Sequence, residues 1–323
     1  MNTLVTGGTG FIGAALVRAL VSRGDRVRSL DNGSRGAVRR LGDAVKEVEL
    51  LNGDIRDSTA VVGAMRGIDR VVHLAYVNGT EHFYQRPELV LEVAVKGIMN
   101  VIDACVSCGV GELVLASSSE VYQSPPRVPT DETAPLSVPD PHNPRYSYGG
   151  GKIISELMTL NYGRHHIRRV LVFRPHNVYG QDMGWEHVIP QLALRVRKLA
   201  HASGELLELP IQGTGEETRA FVHIDDLVKG VLCVLDAGDH LGIYHVGSAE
   251  EVTIADLARR IGHCFSREVR VIPGDLREGS TARRCPDISK LRALGYQPRV
   301  PLSVGLPPTV RWYDEHADER PAD

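Results

Sequence analysis

The sequence predicts an α/β protein in which a doubly wound parallel sheet precedes a smaller, mixed α/β unit. In the first half of the chain, short apolar runs alternate with segments that carry apolar residues at helical spacing. This alternation is typical of parallel strands whose two faces are covered by helices. The runs are also continuously apolar, as expected of strands that are buried on both faces.

Each predicted element has a local justification. The strands are apolar runs bounded by Gly, Asp or Asn, namely residues 3–6, 26–30, 48–51, 70–74 and 112–116. The helices between them repeat apolar residues at helical spacing, at residues 11–23, 58–65 and 87–107. A proline-rich stretch leads into a helix over 148–164 and a strand over 169–173. We therefore predict a first domain of residues 1–175, with a return segment near 219–246, and a second domain of residues 176–323.

Composition narrows the classes of function. The 323 residues have a net charge of −3, so the chain lacks the basic surface that binds nucleic acid. No apolar run approaches the ~18 residues of a membrane span. The five cysteines form no metal-binding pattern, and their odd number without a secretory segment predicts reduced thiols in the cytoplasm. We expect no metal, nucleic acid or membrane as a partner.

A glycine-rich turn at Gly7, Gly10 and Gly13 lies between the first predicted strand and helix. Glycines at this spacing allow a tight turn, let the backbone approach a pyrophosphate and present the helix N-terminus to it. Asp31 ends the second strand, where a carboxylate binds the adenosine ribose and repels a 2′-phosphate. Asp54, after the third strand, is placed to meet the adenine ring. The pattern predicts a Rossmann-type domain that binds NAD in preference to NADP.

Tyr148 and Lys152 are four residues apart and therefore share one face of the predicted helix. A free tyrosine has a pKa of about 10 and is a poor base at neutral pH. A neighbouring ammonium and an oxidised nicotinamide would both stabilise the phenolate and lower this pKa. The pair could then remove a hydroxyl proton while hydride leaves the same carbon.

Several motifs together resemble the extended short-chain dehydrogenase/reductase family of nucleotide-sugar epimerases, dehydratases and decarboxylases. In the first half these are TGGTGFIG (6–13), HLA (73–75), SSSEVY (117–122) and YGGGK (148–152). The second half continues the likeness with RPHNVYG (174–180), GTGEETRAFVHIDD (213–226) and RRCPD (283–287). The resemblance covers nearly the whole chain in order, and it implies an enzyme that uses NAD on a nucleotide-linked sugar.

The resemblance also implies roles for individual residues. Ser118 matches the family's catalytic Ser/Thr, Tyr148 its base and Lys152 the partner of that base, and Glu120 is a further catalytic candidate. The implied cofactor-binding residues are Gly7, Gly10, Phe11, Ile12, Gly13, Asp31, Asn32, Ser34, Arg35, Asp54, Ile55, Leu74, Ala75, Tyr148 and Lys152. The implied substrate-binding residues are Thr80, Ser119, Asn177, Val188, Arg219, Arg283 and Arg284. Of these, Asn177 and the arginines fall where the family contacts the diphosphate and nucleotide, which suits the arginine fork.

Three positions depart from the family pattern. Ala94 replaces the usual asparagine of the fourth helix, and Gln123 replaces the usual glycine after VY. Three glycines, Gly149 to Gly151, separate the base from the lysine, although each costs about 1 kcal/mol relative to alanine inside a helix. Such a run indicates either close backbone packing or space for a substrate.

The resemblance leaves several reactions open after oxidation of a sugar C4 hydroxyl. We favour C4 epimerisation, because it needs no further catalytic group. A 4,6-dehydratase carries Asp-Glu after its Ser/Thr and a uronate decarboxylase carries Ser-Glu. This chain has Ser119 and Glu120, so Glu120 favours a decarboxylase or a dehydratase. Arg145 before the tyrosine and the RRCPD motif resemble the decarboxylases, but Gln123 and the run over 176–191 do not. A more remote alternative is a dinucleotide sensor without turnover.

The helices predicted over 87–107 and 148–164 carry apolar residues on more than one face. A single sheet would not cover all of these residues. Relatives pair these two helices into a four-helix bundle, so we expect a homodimer.

Overall fold

The secondary structure follows the predicted alternation through the first half of the chain. The computed structural model describes residues 1–202, 206–275, 279 and 281–320. Its strands are β1 (Asn2–Thr6), β2 (Arg26–Asp31), β3 (Val48–Asn52), β4 (Arg70–His73), β5 (Glu112–Ala116), β6 (Arg169–Pro175), β7 (Val178–Tyr179), β8 (Leu206–Pro210), β9 (Thr218–Ala220), β10 (Val222–His223), β11 (Gly242–Val246), β12 (Glu251–Thr253), β13 (Glu268–Ile272) and β14 (Arg283–Arg284). Its helices are α1 (Phe11–Ser22), α2 (Ser58–Met65), α3 (Thr80–Gln85), α4 (Pro87–Ser107), α5 (Ser147–His166), α6 (Val188–Ala202), α7 (Ile224–Ala237), α8 (Ile254–Cys264), α9 (Ser289–Arg292) and α10 (Leu302–Glu315).

A seven-stranded sheet in the order β11-β6-β5-β4-β1-β2-β3 forms the centre of the molecule. All of its neighbouring strands are parallel, which confirms the predicted fold class. The strand order reverses at β1, which pairs with β2 on one side and with β4 on the other. In such sheets a crevice opens at the carboxyl ends of the strands beside this reversal, and ligands bind there.

Helices cover both faces of this sheet. On one face, α1 and α7 bury Leu16, Leu20 and Leu227 against the strands. On the other face, α2 and α4 bury Met65 and Ile98 in a second apolar cluster. The helix α5 packs along α4. The strands are therefore enclosed on both sides, which explains why their sequences are continuously apolar.

A smaller unit packs beside the carboxyl ends of the sheet. Its core lies between α6, α8 and α10 and includes Leu192, Leu257 and Leu306. A short sheet places β9 between antiparallel β12 and parallel β14, so that Arg219 and Arg284 are cross-strand neighbours. Within the described ranges, no helix combines the length and apolar character needed to cross a membrane.

Candidate active site

A cleft with a volume of 390 Å³ opens where the strand order reverses. All of the predicted cofactor-binding residues line it: Gly7, Gly10, Phe11, Ile12, Gly13, Asp31, Asn32, Ser34, Arg35, Asp54, Ile55, Leu74, Ala75, Tyr148 and Lys152. The predicted catalytic residues Ser118 and Glu120 line the same cleft. The fold thus brings the residues of the glycine turn and the catalytic candidates into one site.

The glycine turn fits a dinucleotide for steric reasons. Gly7 has a φ of +72°, and a Cβ there would lie 2.8 Å from the amide nitrogen of Ala75. A Cβ on Gly13 would overlap the carbonyl oxygen of Gly7. Helix α1 begins at Phe11, and the first N–H groups of a helix have no helical acceptors. The turn therefore offers close backbone approach and free donors, which are the features that a pyrophosphate requires.

Two carboxylates stand at the ends of β2 and β3. Asp31 accepts hydrogen bonds from the amides of Thr9 at 3.0 Å and Gly33 at 2.9 Å, which fixes its side chain in the cleft and leaves lone pairs for a ribose. Asp54 accepts a hydrogen bond from the Arg56 guanidinium at 2.8 Å, which lowers the pKa of Asp54 to about 2. Both carboxylates are therefore held in place in the cleft by neighbouring donors.

Tyr148 is buried at the start of α5, beside the turn that follows β5. Burial raises the pKa of Tyr148 to about 12, and the hydrogen bond with Ser118 only partly opposes this rise. The sequence predicts a lowered pKa when an oxidised nicotinamide is bound. The surroundings that the protein itself provides raise the pKa instead. Ser118 is itself fixed, because its Oγ accepts a hydrogen bond from the Glu120 amide at 3.2 Å.

Lys152 is buried one turn after Tyr148. Its Nζ donates to the carbonyl oxygen of Ala116 at 2.7 Å and lies 3.8 Å from the centre of the Tyr76 ring. Burial lowers the pKa of Lys152 to about 7, although Glu156 opposes this. The lysine is thus only partly charged near neutral pH, so it stabilises a phenolate less than a fully charged ammonium would.

Tyr148 packs against two aromatic side chains, Phe83 and Tyr76, which we call the aromatic wall and which the sequence did not predict. The Phe83 ring stacks on Tyr148 with a centroid distance of 4.8 Å, and the Tyr76 ring meets it edge-on at 5.1 Å. Both residues follow β4, at the carboxyl edge of the sheet, and that position was the available signal. The wall excludes water and contributes to the burial that raises the pKa of Tyr148.

The glycine run after Tyr148 reflects close packing at two of its three positions. A Cβ at Gly149 would lie 2.9 Å from the Glu120 carbonyl oxygen, and one at Gly151 would lie 2.7 Å from the Cβ of Ala94. At Gly150, by contrast, a Cβ would meet Val138 at an ordinary distance of 3.5 Å. Backbone packing therefore explains Gly149 and Gly151. It also explains Ala94, since a larger side chain there would collide with α5.

Glu120 and Arg284 form an ion pair in the cleft, with 2.5 Å between Oε1 and Nη1. Arg145 adds a second guanidinium 3.9 Å from Oε2 of Glu120. Burial raises the pKa of Glu120, but Arg284, Arg145 and Arg219 outweigh it and hold that pKa below its ordinary value. Three cations and one carboxylate thus meet beside Ser118 and Tyr148, which leaves the site with a surplus of positive charge.

The predicted substrate-binding residues divide into two groups. Ser119, Asn177 and Arg284 line the cleft, and Arg219 lies beside Arg284 on the neighbouring strand. Arg283 does not reach the cleft: its side chain is half exposed and bonds Glu251 at 2.6 Å. Successive side chains of a strand point to opposite faces, so only one arginine of the pair can face the site.

The remaining substrate-binding predictions concern two helix starts. Val188 begins α6 and does not line the cleft, whereas the preceding residue, His187, does. Burial lowers the pKa of His187 to about 4, so this side chain is neutral. The side chain of Thr80 lies outside the described residues.

Comparison with known proteins decides the family. The model of the NAD dependent epimerase/dehydratase family matches residues 3–247, which is most of the chain. The chain belongs to the NAD dependent epimerase/dehydratase family. This confirms the family resemblance and, with it, the predicted dependence on NAD.

Relatives within this family catalyse different reactions. The chain is 32% identical over 334 residues to a dTDP-4-dehydro-6-deoxy-D-allose reductase of Streptomyces bikiniensis, covering 98% of this chain and 97% of the relative. It is 30% identical over 315 residues to UDP-glucuronic acid decarboxylase 4 of Arabidopsis thaliana, covering 96% and 68%.

Two solved structures have the same fold. The dTDP-glucose 4,6-dehydratase DesIV of Streptomyces venezuelae, with NAD and TYD bound, has a TM-score of 0.86 and 32% identity, covering 99% of each chain. The UDP-glucose 4-epimerase of Thermus thermophilus, in complex with NAD, has a TM-score of 0.83 and 29% identity, covering 97% of this chain and 99% of its own. These comparisons support an enzyme of the family and do not single out epimerisation.

Proposed function

We propose that the protein transiently oxidises the C4 hydroxyl of a nucleotide-linked sugar and returns the hydride to C4, as a C4 epimerase. The observation that carries this proposal is the meeting of Tyr148, Ser118 and the glycine turn in one cleft. Epimerisation needs only these groups, because the ketone can turn over and accept hydride on its other face. The names of the relatives, which refer to nucleotide-linked sugars, support the substrate class.

The proposed roles of the residues follow from their contacts. Tyr148 takes the proton of the C4 hydroxyl, and Ser118 orients that hydroxyl and bonds the phenolate. Lys152 donates to the carbonyl oxygen of Ala116 and lies against the Tyr76 ring, so it helps to hold both in place beside Tyr148. Bound NAD supplies the hydride acceptor and a positive charge that favours the phenolate. The aromatic wall keeps water from the proton that Tyr148 carries.

The diphosphate is proposed to bind at the arginine pair Arg219 and Arg284. Burial and the neighbouring Arg284 lower the pKa of Arg219 to about 10, which reflects the cost of placing two guanidiniums side by side. A dianionic diphosphate would offset this repulsion with charge-assisted hydrogen bonds. Asn177 adopts a φ of 38° and lines the same side of the cleft, where its amide can donate to a phosphate oxygen.

Dehydration has less support from the geometry. Loss of water from C6 requires an acid to protonate the leaving hydroxyl and a base to remove a proton. Ser119 stands where the dehydratases carry the aspartic acid, and a hydroxyl is far too weak an acid for this role. Glu120 is held ionised by three guanidiniums and cannot serve as the acid instead.

Decarboxylation of a hexuronate is the second candidate, and the cluster of Glu120, Arg145 and Arg284 favours it. The guanidiniums that Glu120 does not neutralise could bind a uronate carboxylate at C6. Oxidation at C4 would then turn the uronate into a β-keto acid, which loses CO₂ readily. The identity of 30% to a UDP-glucuronic acid decarboxylase supports this alternative. Epimerisation remains our first proposal because it assigns no reaction step to an ion pair.

The products distinguish the candidates. NAD-loaded protein would be incubated with UDP-glucose, dTDP-glucose and UDP-glucuronic acid, and the products identified by mass and NMR. Epimerisation gives a product of unchanged mass with inverted C4. Loss of CO₂ would contradict it in favour of decarboxylation, and loss of water in favour of dehydration. A protein that binds NAD but converts none of the three would contradict the proposed function and favour a sensor.

Glu120→Gln makes the distinction sharper, with the exposed Glu216→Gln as its matched control. In an epimerase, Glu120→Gln should reduce turnover by roughly tenfold at most, equivalent to about 1.4 kcal/mol. In a decarboxylase it should stop the reaction after oxidation, so that NADH accumulates and its near-ultraviolet absorbance rises. Accumulation of NADH in Glu120→Gln alone would overturn the epimerase proposal.

A further inference from the structure

The ion pair of Glu120 and Arg284 is one link in a closed ring of hydrogen bonds. Besides the bond of 2.5 Å to Glu120, Arg284 donates through Nη2 to the Thr281 hydroxyl at 3.0 Å. The Thr281 hydroxyl donates to the carbonyl oxygen of Gln123 at 3.0 Å. The side-chain amide of Gln123 donates to the carbonyl oxygen of Glu120 at 2.6 Å, which closes the ring. The ring joins the turn after β5 to the segment that enters β14.

The direction of each bond in the ring is fixed by chemistry. A guanidinium can only donate, so the Thr281 oxygen must accept from Arg284. The single proton of that hydroxyl is then left for the Gln123 carbonyl, which can only accept. Thr281 and Gln123 are each only 4% exposed, so water does not readily replace these partners. Removing one hydroxyl would therefore leave two buried groups without a partner.

Gln123 adopts a strained conformation to take part in this ring. Its φ is 52°, in the left-handed region that side chains other than glycine rarely adopt. Strain of this kind persists only where the surrounding structure enforces it. Here the Gln123 carbonyl is directed to Thr281 and its amide to Glu120. The strained backbone thus serves two contacts that fix the catalytic candidate Glu120.

The glycine run of α5 makes room for this arrangement. A Cβ on Gly149 would lie 2.5 Å from Nε2 of Gln123 and 2.9 Å from the carbonyl oxygen of Glu120. The glutamine that replaces the usual glycine after VY and the glycine that follows Tyr148 therefore depend on each other sterically. This mutual fit links the ring directly to the helix that carries the base.

We propose that Gln123 and Thr281 are positioning residues that hold the Glu120 carboxylate and the Arg284 guanidinium in one geometry within the cleft that contains Tyr148. The inference rests on the proposed function only in placing the reaction at Tyr148. The ring ties two segments that approach from separate units, and within it Arg284 meets both Glu120 and Thr281. Without it, Arg284 could turn away from Glu120 toward other acceptors in the cleft.

Thr281→Val tests the proposal because valine keeps the shape of threonine and removes its hydroxyl. Thr281→Ser restores the hydroxyl, and Thr309→Val is a matched control, since Thr309 is fully buried and bonds only a carbonyl of its own helix. Gln123→Gly is a second variant, which relieves the backbone strain and removes the amide. It keeps the main-chain carbonyl that Thr281 binds, so it removes only the bond between the side-chain amide and the carbonyl oxygen of Glu120.

The first readout does not need a substrate. The Glu120 carboxyl of ¹³C-glutamate-labelled protein is titrated by NMR, with Glu120→Gln to assign its signal. The charged or titratable groups that face it are Arg284, Arg145, Arg219 and Tyr148. We expect Thr281→Val to raise its titration midpoint by about one pH unit, because Arg284 loses the partner that holds it beside Glu120. Gln123→Gly should shift the midpoint in the same direction but by less, because the bond from Arg284 to Thr281 remains. Thr281→Ser and Thr309→Val should titrate like the native protein.

The second readout is turnover of whichever of the three nucleotide sugars the native protein converts. We expect Thr281→Val and Gln123→Gly to lower kcat roughly tenfold, with unchanged NAD affinity, and Thr281→Ser to recover most of the loss. An unchanged midpoint in both ring variants, or an equal loss of kcat in Thr309→Val, would overturn the positioning role. If none of the three sugars is converted, the proposed function is contradicted. The titration still tests whether Thr281 and Gln123 hold Arg284 beside Glu120.

Discussion

The glycine run of α5 gives a sharp prediction, because neighbouring glycines face different surroundings. Gly150→Ala adds a methyl group that meets Val138 at an ordinary contact distance of 3.5 Å. Gly151→Ala places its methyl group 2.7 Å from the Cβ of Ala94 and against the Tyr76 hydroxyl. Neither neighbour at Gly151 is the free end of a flexible chain, so α4 and α5 must move apart.

The two substitutions should therefore change stability in opposite directions. Alanine is favoured over glycine inside a helix by about 1 kcal/mol, and Gly150→Ala should gain roughly that amount. Gly151→Ala has the same gain, but overpacking costs about 1–3 kcal/mol, so a net loss of about 1 kcal/mol is expected. The two variants should thus differ by about 2 kcal/mol in the free energy of unfolding.

Urea unfolding followed by circular dichroism measures this difference. Both variants are compared with the native protein at one protein concentration and saturating NAD, since association and ligand binding shift apparent stability. Gly151→Ala should also lose activity, because its methyl group displaces Tyr76, whose ring contacts both Tyr148 and Lys152. Equal shifts in the two variants, or a more stable Gly151→Ala, would refute the packing explanation of the run.

Three further predictions concern the cofactor, the assembly and the response to acid. Asp31 should make the protein bind NAD more tightly than NADP in calorimetry, and equal or tighter NADP binding would overturn its role. We expect the native protein to be a homodimer through α4 and α5, on which the side chains of Met99, Leu157 and Tyr162 are 45%, 55% and 48% exposed. Leu157→Arg should yield monomers in light scattering. A monomeric native protein at micromolar concentration would contradict this. Burial lowers the pKa of His245 to about 4, whereas the unfolded chain binds this proton at about 6.5, so the free energy of unfolding should fall as the pH drops from 6.5 to 4. Urea unfolding across this range should show a weaker pH dependence in His245→Gln, and an identical dependence in both proteins would refute the assignment.

The elements that the sequence predicted in the first half agree with the structure to within one or two residues at their ends, but the helix α3 was not predicted. Local signals explain this success, since the period of the apolar residues and the bounding glycines are written in neighbouring positions. The common position of the cofactor candidates was predictable for the same reason: the glycine turn, Asp31 and Asp54 each follow a recognisable strand. Consecutive carboxyl ends of a parallel sheet then bring them into one cleft without further information.

The rest depends on contacts between distant parts of the chain. Thr281 and Gln123 are far apart in sequence, and their hydrogen bond exists only because the second unit folds back over the turn after β5. The buried ion pair of Arg174 and Glu156, at 2.6 Å beneath Ser117, was missed for the same reason. Arg283 was placed in the site by the family resemblance, which covers both arginines of the pair. The short strand β14, which turns only Arg284 toward the cleft, could not be recognised from its pattern.

The contribution of burial to the pKa of Tyr148 was missed because burial is a property of the whole site. Sequence spacing indicates that Lys152 shares a helix face with the base. It does not reveal that Phe83 and Tyr76 enclose the phenol, or that burial brings the pKa of the lysine to about 7. Desolvation opposes both charged forms, so burial works against the activation that the spacing of the pair suggests.

The central claim is that Tyr148 removes the proton while hydride leaves the same sugar carbon. Tyr148→Phe tests it most directly, because phenylalanine keeps the ring that packs on Phe83 and removes only the hydroxyl. The native and variant proteins, loaded with NAD, are mixed in single-turnover amounts with the converted nucleotide sugar, and NADH is followed by its absorbance. We expect the variant to bind NAD with native affinity and to form product at less than about a hundredth of the native rate, because general-base catalysis contributes about 10²–10⁴-fold. Product formation within a few-fold of the native rate would show that the proton leaves by another route and would contradict the account.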